Sequence, residues 1–157
     1  MGRGTVLSVL EGFNGTILAY GQTGSGKTYS MEGGVDQPGV VPRAVQFLYQ
    51  SLDLLPETSE VRCKVSVMEI YNEKVKDLIA PGGNLQIREE VSGRGVYVEG
   101  LTEVHCYDLP SFLSEYNKSK INRVEEMTNM NEHSSRSHMI VVLSVEVTDT
   151  VTKLVKV

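Results

Sequence analysis

The sequence predicts an α/β fold with a mixed central β-sheet flanked by helices, and three observations predict it. A short apolar run rich in strand formers, Thr16-Ile17-Leu18-Ala19-Tyr20, feeds a glycine-rich loop, Gly21-Gln22-Thr23-Gly24-Ser25-Gly26-Lys27-Thr28, which opens into a helix. Strand-like and helix-like segments alternate along the rest of the chain. With 157 residues and 40% hydrophobic content, the chain has the length of one domain and enough apolar material for a core.

Taken in order, residues 6–10 read as a short helix before the turn Gly12-Phe13-Asn14-Gly15. Residues 16–20 form the expected buried strand, and a helix begins at about Lys27. The glycines and proline of residues 33–39 break that helix. Residues 41–55 place Val45, Leu48, Leu52 and Leu55 at helical spacing and stop before Pro56. Residues 62–71 alternate Cys63, Val65 and Val67 with polar neighbours and then become continuously strand-like. Residues 85–88 and 95–98 flank a Ser92-Gly93 turn, the pattern of a hairpin. Residues 109 to about 127 form a charged amphipathic helix, residues 139–147 a strand, and residues 151–157 its returning partner. There is no internal repeat and no low-complexity linker.

The loop satisfies Gly-x-x-x-x-Gly-Lys-Thr through Gly21, Gly26, Lys27 and Thr28. Glycines permit positive φ and place no Cβ in the way, so successive backbone N–H groups can curl around phosphate oxygens. The helix start adds partial positive charge at the anion. Lys27 is placed to reach the β- and γ-phosphates, and the Thr28 hydroxyl to take one position on Mg²⁺.

Asn131-Glu132-His133-Ser134-Ser135-Arg136-Ser137-His138 is the second polar cluster. A Ser–His nucleophile would want a Gly-x-Ser-x-Gly elbow and an orienting carboxylate, and the sequence offers neither. A metal site from His133 and His138 with Cys106 or His105 matches no zinc spacing. A helix-capping cluster ahead of the apolar run is the bland reading. With a phosphate loop already present, a nucleotide switch fits best: hydroxyls toward Mg²⁺ and the γ-phosphate, with an arginine to pair with a carboxylate.

Fifteen Lys and Arg against twenty Asp and Glu give a formal charge of −5, which argues against a nucleic-acid binder. Two cysteines, Cys63 and Cys106, form no paired framework and fit a reducing cytosol, each otherwise a small buried hydrophobe. No signal peptide is visible and no apolar run is long enough to span a membrane.

The run from Asn131 through Ser134-Ser135-Arg136-Ser137-His138 resembles the switch I signature of the kinesin motor family. Myosins share the Asn-x-x-Ser-Ser-Arg portion but continue differently, so Ser137-His138 points to kinesins. The run Gly21 to Thr28 continuing into Tyr29-Ser30-Met31 is similar to the kinesin phosphate loop. Met68-Glu69-Ile70-Tyr71-Asn72-Glu73-Lys74-Val75-Lys76-Asp77-Leu78-Ile79, which carries no chemistry of its own, is similar to a central kinesin strand and its turn. The resemblance covers essentially the whole chain, and residues 1–157 are identified as a partial kinesin motor domain, with the phosphate loop at 21–28 and switch I at 131–138.

That resemblance implies a P-loop NTPase fold of kinesin type and the ATP-binding part of a microtubule motor, with ATP and Mg²⁺ as ligands, tubulin as partner, and a place in the cytoplasm on the cytoskeleton. It implies that Gly21, Gln22, Thr23, Gly24, Ser25, Gly26, Lys27 and Thr28 wrap the phosphates, with Thr28 and Ser135 on Mg²⁺. Ser134 would approach the γ-phosphate beside Ser135, Asn131 would help hold the γ-phosphate and the attacking water, and Arg136 would close a salt bridge to a switch II glutamate. Tyr29 takes the place of a side chain beside adenine, or packs as an ordinary aromatic on a first helical turn. The alternative is a non-motile nucleotide- or tubulin-binding module from a truncated or degenerate kinesin.

The sequence departs from the family pattern in places. The only Asp-x-x-Gly, Asp36-Gln37-Pro38-Gly39, reads as a turn rather than as switch II, and neither Glu146 nor Asp149 is assigned as the missing ligand. The family's first strand and its later tubulin-binding helices, which carry much of the positive charge facing tubulin, find no counterpart. Arg88 and Arg94 on the hairpin could meet acidic tubulin, although Glu99 stands where many kinesins are basic, and solvated charges are the default on such a loop. The expectation for residues 1–157 alone is an unstable polypeptide, inactive as an ATPase and at most a weak nucleotide binder.

Overall fold

The computed structural model describes residues 2–34, 36–90, 95–127 and 137–156. Along the chain run α1 (Arg3–Leu10), α2 (Lys27–Glu32), α3 (Val40–Leu52), β1 (Ser59–Tyr71), β2 (Lys74–Asp77), β3 (Gln86–Glu89), β4 (Val96–Glu99), β5 (Val104–His105), α4 (Leu109–Met127), β6 (Ser137–Asp149) and β7 (Val155–Lys156). The main sheet has the order β2-β1-β6-β7, with β5 paired to β1, and β3 and β4 form a separate two-stranded sheet. The registers described for β1–β2, β1–β5, β3–β4 and β6–β7 are all antiparallel. The chain divides into two compact units, and β1 and β6 each contribute residues to both.

The first unit comprises residues up to Cys63, residues 107–109, and the chain from Ser144. Its core is Val6 of α1, Val45, Leu48 and Leu52 of α3, Cys63 of β1 and Val145 of β6. The three buried α3 residues recur at a helical interval, so one apolar stripe of α3 meets α1 and α2 while polar residues stay outside. Pro42 falls in the first turn of α3, where a missing N–H costs nothing. The Arg3 guanidinium lies 5.0 Å from the Phe47 ring centroid, a cation–π contact between α1 and α3. The end of β6 is tied down where Thr150 donates through both its backbone N and its Oγ1 to Thr58 O, each at 2.8 Å.

The second unit comprises residues 64–106 and 110–143. Its core is Val65, Val67 and Met68 of β1, Val75 of β2, Leu78, Cys106, and Phe112 and Tyr116 of α4. Residues 65–69 are all buried, so this stretch of β1 is covered on both faces, as its lack of alternation requires. Phe112 and Tyr116, one turn apart on α4, stack with centroids 5.7 Å apart. The buried Asp77 carboxylate organises the chain after β2, accepting from the backbone N of Ile79 (2.8 Å), Ala80 (3.1 Å) and Thr102 (2.7 Å).

Most predicted elements form close to their expected bounds. The predicted strand at residues 16–20 does not: it pairs with no strand among the described residues and lies largely exposed, Leu18 at 80% and Tyr20 at 96%. An apolar, β-favouring run records a need for cover, but a strand exists only where a neighbour offers its N–H and C=O groups. Two strands, β2 and β5, went unread; β5 has two residues and carries no period. Asp36-Gln37-Pro38-Gly39 is the expected turn, closed by Gly34 N to Gln37 O at 2.9 Å and Gly39 N to Glu32 O at 3.1 Å. The Ser92-Gly93 turn falls outside the described residues, but β3 and β4 pair across it as a hairpin.

Candidate functional site

The glycine-rich loop of the first unit is folded although residues 16–20 ahead of it are unpaired. Gly21, Gly24 and Gly26 have φ of 155°, 81° and 85°, all in territory that side chains disfavour. At Gly21 a Cβ would stand 2.5 Å from Ser25 Oγ, so a side chain there would displace Ser25 and strain the backbone. At Gly26 the left-handed backbone is the cap from which α2 starts at Lys27. The first N–H groups of a helix have no partner within it, and so this turn presents donors rather than side chains.

Lys27 is turned back across the loop. Its ammonium donates to Gly21 O and to Gln22 O, both at 2.8 Å, while Ser25 N donates to Gln22 O at 3.2 Å. An ammonium has three donors, so one remains after these two bonds. A Cβ at Gly24 or Gly26 would meet nothing within 4 Å, so the backbone of both is open to approach from outside. A cation aimed at loop carbonyls, beside bare backbone and a helix start, is a donor set suited to phosphate oxygens. The residues present therefore fit a nucleotide's phosphates.

Thr28 follows on α2 and is exposed. Tyr29 is 59% exposed, and its hydroxyl donates to Gln37 Oε1 at 3.2 Å, which ties α2 to the turn after it. The second predicted cluster is described only in part. Asn131, Ser134, Ser135 and Arg136 lie outside the described residues, whereas Ser137 and His138 open β6 in the second unit, Ser137 buried and His138 exposed. Among the described residues no group of three His, Cys, Asp or Glu could hold a metal ion, and no helix is long and apolar enough to cross a membrane.

The acidic residues passed over as metal ligands have local work. Glu146 lies 3.6 Å from Arg62, and Asp149 Oδ1 accepts from Val151 N and Thr152 N, both at 2.8 Å, in the turn before β7. Those backbone N–H groups hold the Asp149 carboxyl below its ordinary range. On the hairpin, Arg88 Nε donates to Glu99 Oε2 at 2.8 Å, and this bond to a carboxylate raises the arginine's already high pKa. Arg94 is outside the described residues.

One buried polar cluster escaped the sequence reading. Glu69 of β1 has no exposed surface, and its Oε1 accepts from Arg123 Nε at 3.0 Å. The same guanidinium donates through Nη2 to Ser137 Oγ at 2.8 Å and places Nη1 3.8 Å from Met139 Sδ. The signal was available: a glutamate inside Val65-Ser66-Val67-Met68-Glu69-Ile70 needs a buried cation, since an unpaired carboxylate there would be costly. Sequence alone does not say which cation answers.

Comparison with known proteins agrees with this architecture. The family model described as the kinesin motor domain matches residues 1–156. Kinesin-like protein Klp68D of Drosophila melanogaster is 43% identical over 156 residues, covering 97% of this chain and 20% of its own length. The human Kinesin-1 heavy chain is 43% identical over 152 residues, covering 94% of this chain and 16% of its own. A solved structure of a fast kinesin, reported for its ATPase mechanism and its interactions with microtubules, superposes with a TM-score of 0.93 at 39% identity, over 98% of this chain and 45% of that one. The chain thus spans about a fifth of the length of the curated relatives it matches.

Proposed function

The chain belongs to the kinesin motor family, and we propose that it is the ATP-binding part of a motor domain that couples ATP hydrolysis to movement along microtubules in the cytoplasm. Its fold is the α/β P-loop NTPase fold of kinesin type. The observation that carries the reading is the loop itself: glycines at positive φ, with Lys27 directed onto the carbonyls of Gly21 and Gln22.

Phosphoryl transfer asks a protein mainly for positioning and charge stabilisation. Gly21 to Thr28 hold the phosphates through backbone N–H groups, with Lys27 exchanging its loop carbonyls for phosphate oxygens. The hydroxyls of Thr28 and Ser135 would hold Mg²⁺, which would supply positive charge to offset that of the phosphates. Ser134 and Asn131 would orient the water at the γ-phosphate, and Arg136 would pair with a carboxylate to hold that arrangement. Tyr29, exposed at the start of α2 with its hydroxyl on Gln37, would lie beside the adenine.

Phosphate release from the full-length polypeptide carrying this sequence, with Mg·ATP and with or without polymerised microtubules, tests the proposal. Microtubule-stimulated release is expected, and Lys27→Ala should lower it about a hundredfold or more. Microtubule binding without stimulated turnover would favour the non-motile module. Absence of both nucleotide binding and turnover would overturn the reading.

A further inference from the structure

Asn14-Gly15 is the only asparagine–glycine pair in the sequence, and it stands between two fixed points of the first unit. On one side α1 closes. Gly12, at φ 95°, donates its N–H to Val9 O at 2.9 Å, and Phe13 N donates to Ser8 O at 3.0 Å, the paired bonds that end a helix on a left-handed residue. On the other side Gly15 lies against α1, where a Cβ would overlap Thr5 Cγ2 and stand 3.2 Å from Val9 Cγ2. A larger residue would displace both, so the packing favours glycine after Asn14. Asn14 and Gly15 are themselves exposed. Neither the Asn14 side chain nor the Gly15 N–H has a hydrogen-bond partner among the described residues.

Unbonded and exposed, those two groups can react with each other. The Gly15 nitrogen attacks Asn14 Cγ: the N–Cγ bond forms, the Cγ–Nδ2 bond breaks, and the side-chain nitrogen leaves as ammonia with the proton of the Gly15 N–H. The product is a cyclic succinimide. Water then opens the ring. Cleavage at Cγ gives an aspartyl residue, and cleavage at the main-chain carbonyl carbon gives an isoaspartyl residue with an extra carbon in the backbone. Nothing is oxidised or reduced, and water is the only co-reactant. A side chain on the following residue hinders the attack, and glycine has none. Asn72, Asn84 and Asn117 are exposed too, but they precede Glu73, Leu85 and Lys118.

We propose that Asn14-Gly15 is a site of spontaneous deamidation, and that its conversion loosens α1 from the run leading into the glycine-rich loop. Either product puts a carboxylate just beyond the C-terminus of α1, where the helix dipole and the capping Glu11 already make the potential negative. The isoaspartyl product does more. Its extra backbone carbon falls between the closed end of α1 and the seat of Gly15, so one of the two must shift. Residues 16–20 continue directly from that seat into Gly21. The effect on nucleotide binding, though not the modification itself, rests on reading Gly21 to Thr28 as a phosphate loop.

The test ages the full-length polypeptide carrying this sequence in mildly alkaline buffer at physiological temperature. Asn14→Gln and Asn14→Ser, neither of which can form the succinimide, are aged beside it. Peptide mapping by mass spectrometry follows each asparagine. Asn14 should convert about tenfold faster than Asn72, Asn84 and Asn117, or more, a barrier lower by about 1.4 kcal/mol. The rate should rise with pH, because the attacking nitrogen must give up its proton. The isoaspartyl fraction, separated by ion exchange, should show a Tm lower by a few degrees and weaker binding of a fluorescent Mg·ADP. The aged variants should keep their starting Tm and affinity. Conversion of Asn14 no faster than that of the other three asparagines overturns the proposal. So does an isoaspartyl fraction whose Tm and Mg·ADP affinity equal the parent's. A parent that binds no Mg·ADP, yet loses Tm as Asn14 converts, removes the phosphate-loop reading and upholds the modification site.

Discussion

Cys63, a thiol only 4% exposed, sits where β1 enters the core of the first unit. Burial pushes its pKa up, against the smaller opposing effect of a hydrogen bond with Tyr49. The folded thiol therefore keeps its proton over a range in which the unfolded one, with a pKa of about 8.5, has begun to lose it. Its contribution to stability is complete below the unfolded value and is lost as pH rises from there through the folded value. Cys63→Ala should lower Tm at pH 7, and the gap between parent and variant should narrow steadily from about pH 8 to pH 10. A constant gap across that range would mean the thiol is not held neutral by the fold. The alternation of Cys63 with Val65 and Val67 already marked this residue as core material. Glu69 shows the opposite case: its partner Arg123 lies 54 residues away, and nothing in a linear pattern selects that arginine from the other charges of α4.

At the scale of elements, what the sequence revealed depended on how local the cause was. Helices α1, α3 and α4 follow from patterns contained within themselves, and all three were legible. The strand expected at residues 16–20 depends on a neighbour that no local pattern reports. Hairpin β1–β2 lies between these cases. Tyr71 pairs with Lys74, leaving Asn72 and Glu73 as a two-residue turn with φ of 48° and 62°. Positive φ at both positions is the turn whose twist matches the flanking strands, and it favours Asn-Gly. Asn72 satisfies the first position, but glutamate at the second obscured the signal and sits strained there. Glu73→Gly should therefore stabilise the protein by about 0.5–1 kcal/mol, the relief of the left-handed conformation less glycine's greater chain entropy. Thermal or urea unfolding would read this directly, and a loss of stability would mean that Glu73 makes a contact worth more than its strain. The geometry of the glycine-rich loop was legible for the same reason that the helices were: it is set by glycines close together in sequence, with Lys27 reaching back only five and six residues.

For the whole molecule, the feature left over is apolar surface without cover. Phe13, Leu18 and Tyr20 are exposed in one short run, beside a glycine-rich loop that is otherwise well formed. Single exposed apolar residues are ordinary, whereas a run of them that pairs with no strand among the described residues is a template for pairing with another chain. A net charge of −5 opposes association through repulsion, but over a 17.3 kDa chain it is spread too thinly to protect one segment. When residues 1–157 are produced as an isolated polypeptide, the cover available to this run is a second copy. Sedimentation velocity should then show concentration-dependent self-association at micromolar protein. The substitutions Leu18→Lys and Tyr20→Lys together should shift the distribution toward monomer, since they place charge on the exposed edge without touching the core of α1 and α3. Monomeric behaviour of the unmodified polypeptide at tens of micromolar would show that this run finds its cover within the same chain. In that case nucleotide affinity of the isolated polypeptide should approach that of the full-length protein, because the loop from Gly21 to Thr28 would then rest on a paired strand rather than on an exposed one.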